Sequence, residues 1–368
     1  MKRVRTFFCR HCEEHSDVAI QPRKYIPFFS CASRAGLPRR ANALLATTLF
    51  GILCIPLSAH AFTLSWPVAC TLGQDCFIQN FVDHDTTPTA HDFTCNAPTY
   101  DGHDGTDIRL RNLAAMRAGV AVKAVADGVV AGTRNNVDDA SIRDANAPDI
   151  AGRECGNGVR ITHADGYITQ SCHLIKGSIP VRTGQMVKAG DTIGSIGLSG
   201  QTEFPHLHLG VWKDGVKIDP FTAGPVTAPC DARLASSAPR GLWATPVAYQ
   251  PTALLNDGFA TTAPEAKAMR DTPATLVTIP ANAPALLYWV DVMNLRAGDV
   301  LHLSITAPDG QMFAEKSTPF DKAKAGYFAF IGKKNSLGKF AAGNYTAHVT
   351  VMRGKEIAAR KTTTLAVK

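Results

Sequence analysis

The sequence predicts an all-β protein with an antiparallel sheet domain followed by a smaller β-sandwich. Three observations carry that expectation. Between His103 and Pro220, short runs rich in Val, Ile and Thr are broken by Asp-Gly and other glycine turns. Short strands with regular turns recur from about Pro273 to the C-terminus. Between them, residues 231–272 are rich in Pro, Ala and Thr and read as a linker. A chain of 368 residues suits about two domains.

In chain order, residues 62–100 combine Pro, Thr, Asp and Cys with little periodicity, which predicts an irregular segment wrapped on the next domain. Val120–Ala126 and Val129–Ala131 flank Asp127-Gly128 and read as a β-hairpin. Gly158–His163 and Tyr167–Ser171 flank Ala164-Asp165-Gly166 in the same way. Val187–Gly194 supplies a short strand with a glycine turn, and Pro205–Val211 a closing strand. The polar stretch Thr133–Glu154 predicts a long surface loop, the kind that often serves function. Further on, Ala285–Met293, Val300–Thr306 and Tyr345–Met352 read as strands, with turns at Pro308-Asp309-Gly310 and Arg353-Gly354-Lys355. Such spacing over residues 273–368 predicts an immunoglobulin-like sandwich.

The N-terminus predicts export. Arg39-Arg40, the apolar stretch Ala41–Leu57 and the Ser58-Ala59-His60-Ala61 site make a signal peptide over 39–61. Its apolar core is shorter than the ~20 residues a spanning helix needs, so no stable membrane span is expected after cleavage. Residues 1–38 are unusual upstream of such a signal and read as a spurious or poorly structured extension, which leaves Cys9 and Cys12 no role as a zinc pair. The formal charge of +7 is mostly theirs and the signal's: beyond Ala61, 29 basic side chains face 28 acidic ones. No basic patch points to nucleic acid. Six cysteines remain in the exported part, and an even number there favours disulfides. Proximity suggests Cys70 with Cys76 and Cys155 with Cys172.

Two clusters carry chemistry: His103-Asp104-Gly105-Thr106-Asp107 and His206-Leu207-His208. Side chains alternate across a strand, so His206 and His208 share one face and reach one small site. A catalytic zinc takes three protein ligands from nitrogen and carboxylate oxygen and leaves a position for water, which two histidines and an aspartate satisfy. His84-Asp85 and His91-Asp92 read as solvated surface pairs and are left unassigned.

His103-x-x-x-Asp107, Ser171-Cys172-His173-Leu174 and Pro205-His206-Leu207-His208 together resemble the lysostaphin-type zinc endopeptidases, over roughly Tyr100–Pro220. The resemblance implies a duplicated hybrid motif fold for the 101–230 domain, one zinc per chain held by His103, Asp107 and His208, and His173 and His206 as the catalytic pair. It also implies hydrolysis of the peptide cross-links of bacterial peptidoglycan, in the periplasm or outside the cell. Ser171 stands where a Tyr is frequent in the family, Cys172 precedes the catalytic histidine, and the 133–154 loop is enlarged, departures that bear on specificity. Cys172 beside His173 could suggest a cysteine nucleophile, but an exported chain with an even cysteine count favours oxidised sulfur. The competing reading is a catalytically silent, wall-binding regulator of other hydrolases. Retention of all five residues favours the enzyme. The sandwich carries no catalytic constellation and could contact glycan, the groove or a protein partner.

Overall fold

The computed structural model describes residues 61–368 apart from 146, 237–239 and 274. The expected N-terminal extension and nearly all of the signal peptide lie outside the described residues.

The first domain holds ten strands: β1 (Cys76–Asn80), β2 (Thr106–Leu110), β3 (Ala121–Lys123), β4 (Gly128–Arg134), β5 (Asn157–Thr162), β6 (Tyr167–Leu174), β7 (Met186–Val187), β8 (Thr192–Ser195), β9 (His206–Lys213) and β10 (Val216–Lys217), with one short helix, α1 (Leu113–Ala118). The main sheet runs β1-β2-β9-β6-β5-β4-β7, antiparallel throughout, with β10 paired to β9. A two-stranded sheet of β3 and β8 completes the fold. Strand periodicity divides the main sheet cleanly. Ile108, Leu207, Leu209, Val159 and Ile161 turn to one side, where they form a core with Val122 of β3 and Ile193 of β8. Asp107, His206 and His208, at the alternate positions, turn to the other side.

Two expectations are corrected here. Residues 120–131 do not form a hairpin: β3 pairs with β8 and β4 pairs with β5 and β7. Val122 must be buried beneath the main sheet while Val129 stands exposed on it, so Asp127-Gly128 carries the chain between layers. The 62–100 segment is largely irregular but contributes β1, which extends the main sheet beyond β2. The second hairpin forms as expected, β5 against β6. Disulfides join Cys70 to Cys76, Cys155 to Cys172, and Cys95 to Cys230. The last ties the N-terminal segment to the far end of the domain, across 135 residues.

The second domain comprises β11 (Ala253–Ala260), α2 (Ala266–Asp271), β12 (Thr278–Ile279), β13 (Ala285–Leu295), β14 (Asp299–Thr306), β15 (Met312–Pro319), β16 (Lys324–Lys334), β17 (Gly343–Arg353) and β18 (Glu356–Val367). Sheet β11-β13-β16 faces sheet β12-β18-β17-β14-β15. Tyr288, Val290 and Val292 from one meet Leu301, Leu303, Tyr345, Val349 and Val351 from the other in a single core. The expected linker of 231–272 therefore ends early. Ala253–Ala260 pairs with β13 because Leu255 and Phe259 are buried when β11 closes the three-stranded sheet.

The domains meet along β1. Phe77, Leu255 and Met293 form a small apolar seam. Beside it Gln79 Nε2 donates to Asn294 Oδ1 at 2.7 Å and Asn294 Nδ2 donates to the Gln79 carbonyl at 2.6 Å. Asn112 Nδ2 donates to Asn256 Oδ1 at 3.0 Å. Each buried amide finds a partner, which avoids the cost of desolvating it unpaired. No helix among the described residues is long and apolar enough to cross a membrane.

Candidate metal centre

The site grows from three neighbouring strands and the loop before β2. The β2–β9 register sets Asp107 opposite His208, and the β9–β6 register sets His208 opposite Cys172. His103 enters from the turn ahead of β2, and His173 follows Cys172 on β6. All five residues singled out in the sequence converge. His103 Nε2 lies 3.1 Å from Asp107 Oδ1, and His208 Nδ1 lies 2.9 Å from the same oxygen. His206 Nε2 is 3.4 Å from it. The rings of His173 and His206 are 4.6 Å apart.

The far nitrogens decide which lone pairs face inward. A carbonyl only accepts, so His103 Nδ1 donates to the Phe81 carbonyl at 2.7 Å, which leaves Nε2 as a bare acceptor. That Nε2 is buried and has no hydrogen-bond donor among the described residues, yet it faces a carboxylate oxygen. In the neutral ring this sets two lone pairs 3.1 Å apart, a contact that a proton on Nε2 or a metal ion between the two atoms relieves. His208 has a carboxylate at each nitrogen, Asp107 Oδ1 at 2.9 Å from Nδ1 and Asp104 Oδ1 at 3.3 Å from Nε2, and the tautomer that donates to Asp104 leaves Nδ1 free to bind a metal beside Asp107. One donor atom from each of His103, Asp107 and His208 falls within 4.8 Å of the others, a trio that could hold a metal ion. The donor set, two imidazoles and a carboxylate, suits zinc.

The surroundings support that trio. Asn80 Nδ2 donates to Asp107 Oδ2 at 2.8 Å, which fixes the carboxylate and turns Oδ1 to the histidines. Lys217 Nζ holds Asp104 Oδ2. Gly105 is required by His208: a Cβ at that position would stand 2.5 Å from His208 Nε2. Outer partners of this sort orient a ligand and set its basicity. Sequence reasoning missed Asn80 and Asp104. Asp104 lies inside the His103–Asp107 motif and could have been read from it, whereas Asn80 sits 27 residues earlier, in a stretch with no periodic signal.

Electrostatics sharpen the roles. Burial is the largest influence on Asp107 and raises its pKa, but His103 and His206 outweigh it and hold the carboxyl well below its usual range. Burial, reinforced by repulsion from His206 and His208, pushes His173 well below the usual imidazole range. His173 Nδ1 donates to the Ser199 carbonyl at 2.8 Å, so its Nε2 carries a free lone pair. His206 Nδ1 donates to the Phe204 carbonyl at 2.9 Å, which fixes its tautomer likewise. His173 adopts φ 62°, a left-handed conformation rare for a non-glycine residue and typical of functional sites. Its backbone N–H is held by the carbonyl of Cys155, the disulfide partner of Cys172, so the bridge at the mouth of the long loop also braces this histidine. With both sulfurs oxidised, a Cys172 nucleophile is ruled out.

Two other histidines differ from expectation. His84 is buried, with Nε2 2.8 Å from Asp219 Oδ2 and Nδ1 donating to the Ala228 carbonyl, and so is no solvated surface residue. His91 is partly exposed and pairs with Asp85.

Comparison with known proteins follows the same boundaries. Residues 101–220 match the sequence profile of peptidase family M23. Peptidoglycan DD-endopeptidase ShyC from Vibrio cholerae serotype O1 is 42% identical over 67 residues, which are 18% of this chain and 15% of the relative. ShyA from the same organism, also named a peptidoglycan DD-endopeptidase, is 37% identical over 106 residues, 29% of this chain and 19% of the relative. Among solved structures, the catalytic domain of lysostaphin from Staphylococcus simulans aligns at 25% identity and a TM-score of 0.23, covering 32% of this chain and 76% of that one. Residues 101–220 are thus a peptidase family M23 domain.

Proposed function

We propose that the protein is an exported zinc endopeptidase that hydrolyses peptide cross-links of bacterial peptidoglycan, with one zinc per chain. The observation that carries this reading is the buried, donor-less His103 Nε2 facing Asp107 Oδ1, with His208 Nδ1 beside it. His103, Asp107 and His208 are the ligands. The substrate class is supported by the two DD-endopeptidase relatives, and export by their action on the wall.

Bound zinc supplies Lewis acidity, which lowers the pKa of water and polarises a scissile carbonyl. The chain's residues do the rest. Asn80 and Asp104 hold the ligands in place, so little reorganisation accompanies the reaction. His173 stays neutral at neutral pH because it is buried among other imidazoles, and its free Nε2 accepts a proton from the attacking water. His206, with Nδ1–H fixed on Phe204, presents Nε2 on the same side and can pass a proton to the leaving amine or steady the oxyanion. The 4.6 Å between the two rings lets both reach one scissile bond.

The experiment is to purify the protein, measure bound zinc, and follow release of cross-linked muropeptides from peptidoglycan by wild type and by His208→Ala. About one zinc per chain in the wild type, with activity lost in the variant, is expected. A metal-free wild type that cleaves nothing, even after zinc is added, would overturn the proposal in favour of the regulator.

A further inference from the structure

The sheet face that carries the histidines continues beyond them. Asp107, His208 and Cys172 stand side by side in one row across β2, β9 and β6. Gly210, Gln170 and Arg160 form the next row of the same facing, across β9, β6 and β5. Two residues separate the rows, about 7 Å at the rise of a strand. Arg160 reaches back over β6: Nη1 donates to Gln170 Oε1 at 2.9 Å, and the guanidinium carbon lies 4.8 Å from the centre of the Trp212 ring. Gly210 makes this stack possible. A Cβ there would stand 2.7 Å from Trp212 Cη2, so the indole lies over Gly210, toward the histidine row.

The guanidinium is half-buried, has five N–H donors, and stays charged at any accessible pH. Among the described residues its hydrogen-bond acceptor is the neutral Gln170, and no carboxylate pairs with it. The half-buried Arg270 and Arg353 differ, each holding an aspartate. Arg109, on the opposite side of the histidines, also forms no ion pair among the described residues, but it is buried under Phe204 and against Gln79.

We infer that Arg160, set by Trp212 and Gln170, docks a free carboxylate of the peptide substrate about two residues from the scissile bond. The inference deepens the peptidase reading and rests on it. A planar guanidinium matches a carboxylate with two parallel hydrogen bonds. Stacking on Trp212 and the bond to Gln170 fix its plane before the ligand arrives, so little ordering remains at binding. The preferred substrate is then a cross-linked peptide whose carboxyl group near the cleaved bond is free rather than amidated.

The test uses two synthetic cross-linked stem-peptide dimers that differ only in that carboxyl, free in one and amidated in the other. Binding is measured by calorimetry and cleavage by chromatography, with the zinc-loaded wild type, Arg160→Gln and Gly210→Ala. The wild type is expected to bind and cleave the free-acid dimer roughly ten- to a hundredfold better. Arg160→Gln should abolish the preference by raising KM for the acid dimer far more than for the amidated one. Gly210→Ala, which displaces the indole, should act in the same direction. A preference that survives Arg160→Gln, equal weakening of both dimers, or a wild type that does not discriminate would overturn the proposal. Wild type that binds the acid dimer through Arg160 but cleaves neither dimer would remove the peptidase reading and leave the carboxylate site standing. Zinc content and thermal melting check the fold of each variant. Should Arg160→Gln fail to fold, Arg160→Lys, which keeps the charge but loses the planar fork, should retain only part of the preference.

Discussion

Each domain buries carboxylates, and the two treat them differently. In the sandwich, Asp291 is held by Arg270, Asp299 by Arg353, and Asp257 by Lys361 with Tyr288 and Thr363. Every one of those buried charges carries its cation with it, from the same chain. Asp107, in the first domain, is as deeply buried, yet its neighbours are Asn80 and three imidazoles rather than an Arg or Lys. A charge taken out of water needs a counter-charge or it neutralises itself. The sandwich supplies permanent counter-charges for stability, whereas the main sheet of the first domain gives Asp107 only imidazoles, which can release their protons, as the proposed metal site requires.

The sharpest way to break this comparison is to remove a ligand. Asp107→Ala should abolish both zinc binding and hydrolysis while leaving the unfolding midpoint of the zinc-free protein unchanged or raised, because a buried carboxylate with no Arg or Lys partner is gone. A zinc-free variant much less stable than the zinc-free wild type would show that Asp107 serves the fold, as the sandwich aspartates do. His173→Ala should slow turnover about a hundred- to ten-thousandfold with zinc content unchanged, which separates proton transfer from metal retention. Loss of zinc from that variant would place His173 among the ligands instead.

The converse change is Asp299→Ala. It strands the partly buried Arg353 guanidinium, and the protein should lose about 3 kcal/mol in denaturant unfolding with its bound zinc unaltered. Equal stability would mean that water reaches Arg353 well enough to replace its partner. Asn80→Ala tests the link between the regions, since Asn80 fixes Asp107 while its neighbour Gln79 is gripped by Asn294 of the sandwich. Zinc affinity should fall roughly ten- to a hundredfold, with the fold intact.

The same contrast explains what the sequence could and could not reveal. The motifs of the candidate metal site were legible because strand alternation alone puts His206 and His208 on one face, and because short spacings tie His103 to Asp107. The β5–β6 hairpin was legible for a similar reason, its turn and both strands being contiguous. Pairings that depend on distant segments were not. β3 looks like the first arm of a hairpin until β8, some 70 residues later, claims it, and Ala253–Ala260 reads as linker until β13 gives Leu255 and Phe259 something to pack on. Asn80 and the Arg160–Trp212 stack were hidden for the same reason: they matter only in a register that local sequence does not encode.

His84 offers the most delicate refinement, because it represents a third way of housing a buried carboxylate. Asp219 is fully buried and pairs with neither Arg nor Lys among the described residues; its partner is His84, whose other nitrogen donates to a carbonyl. With acceptors at both nitrogens the ring is built to be an imidazolium, a cation the protein makes by taking up a proton. Burial is the largest influence on His84 and lowers its pKa, but the bond and charge of Asp219 and the Ala228 carbonyl together raise it above the ordinary value. The sign follows from linkage. The folded state binds the proton more tightly than the unfolded chain, so this contribution to stability is complete below pH about 6.5 and fades as the pH rises through the folded pKa. Unfolding by denaturant at pH 6 and at pH 9 should therefore show a decline that His84→Gln removes. An unchanged decline in the variant would mean that the pair is neutral already at pH 6, and that Asp219, unlike the aspartates of the sandwich, is held by hydrogen bonds alone.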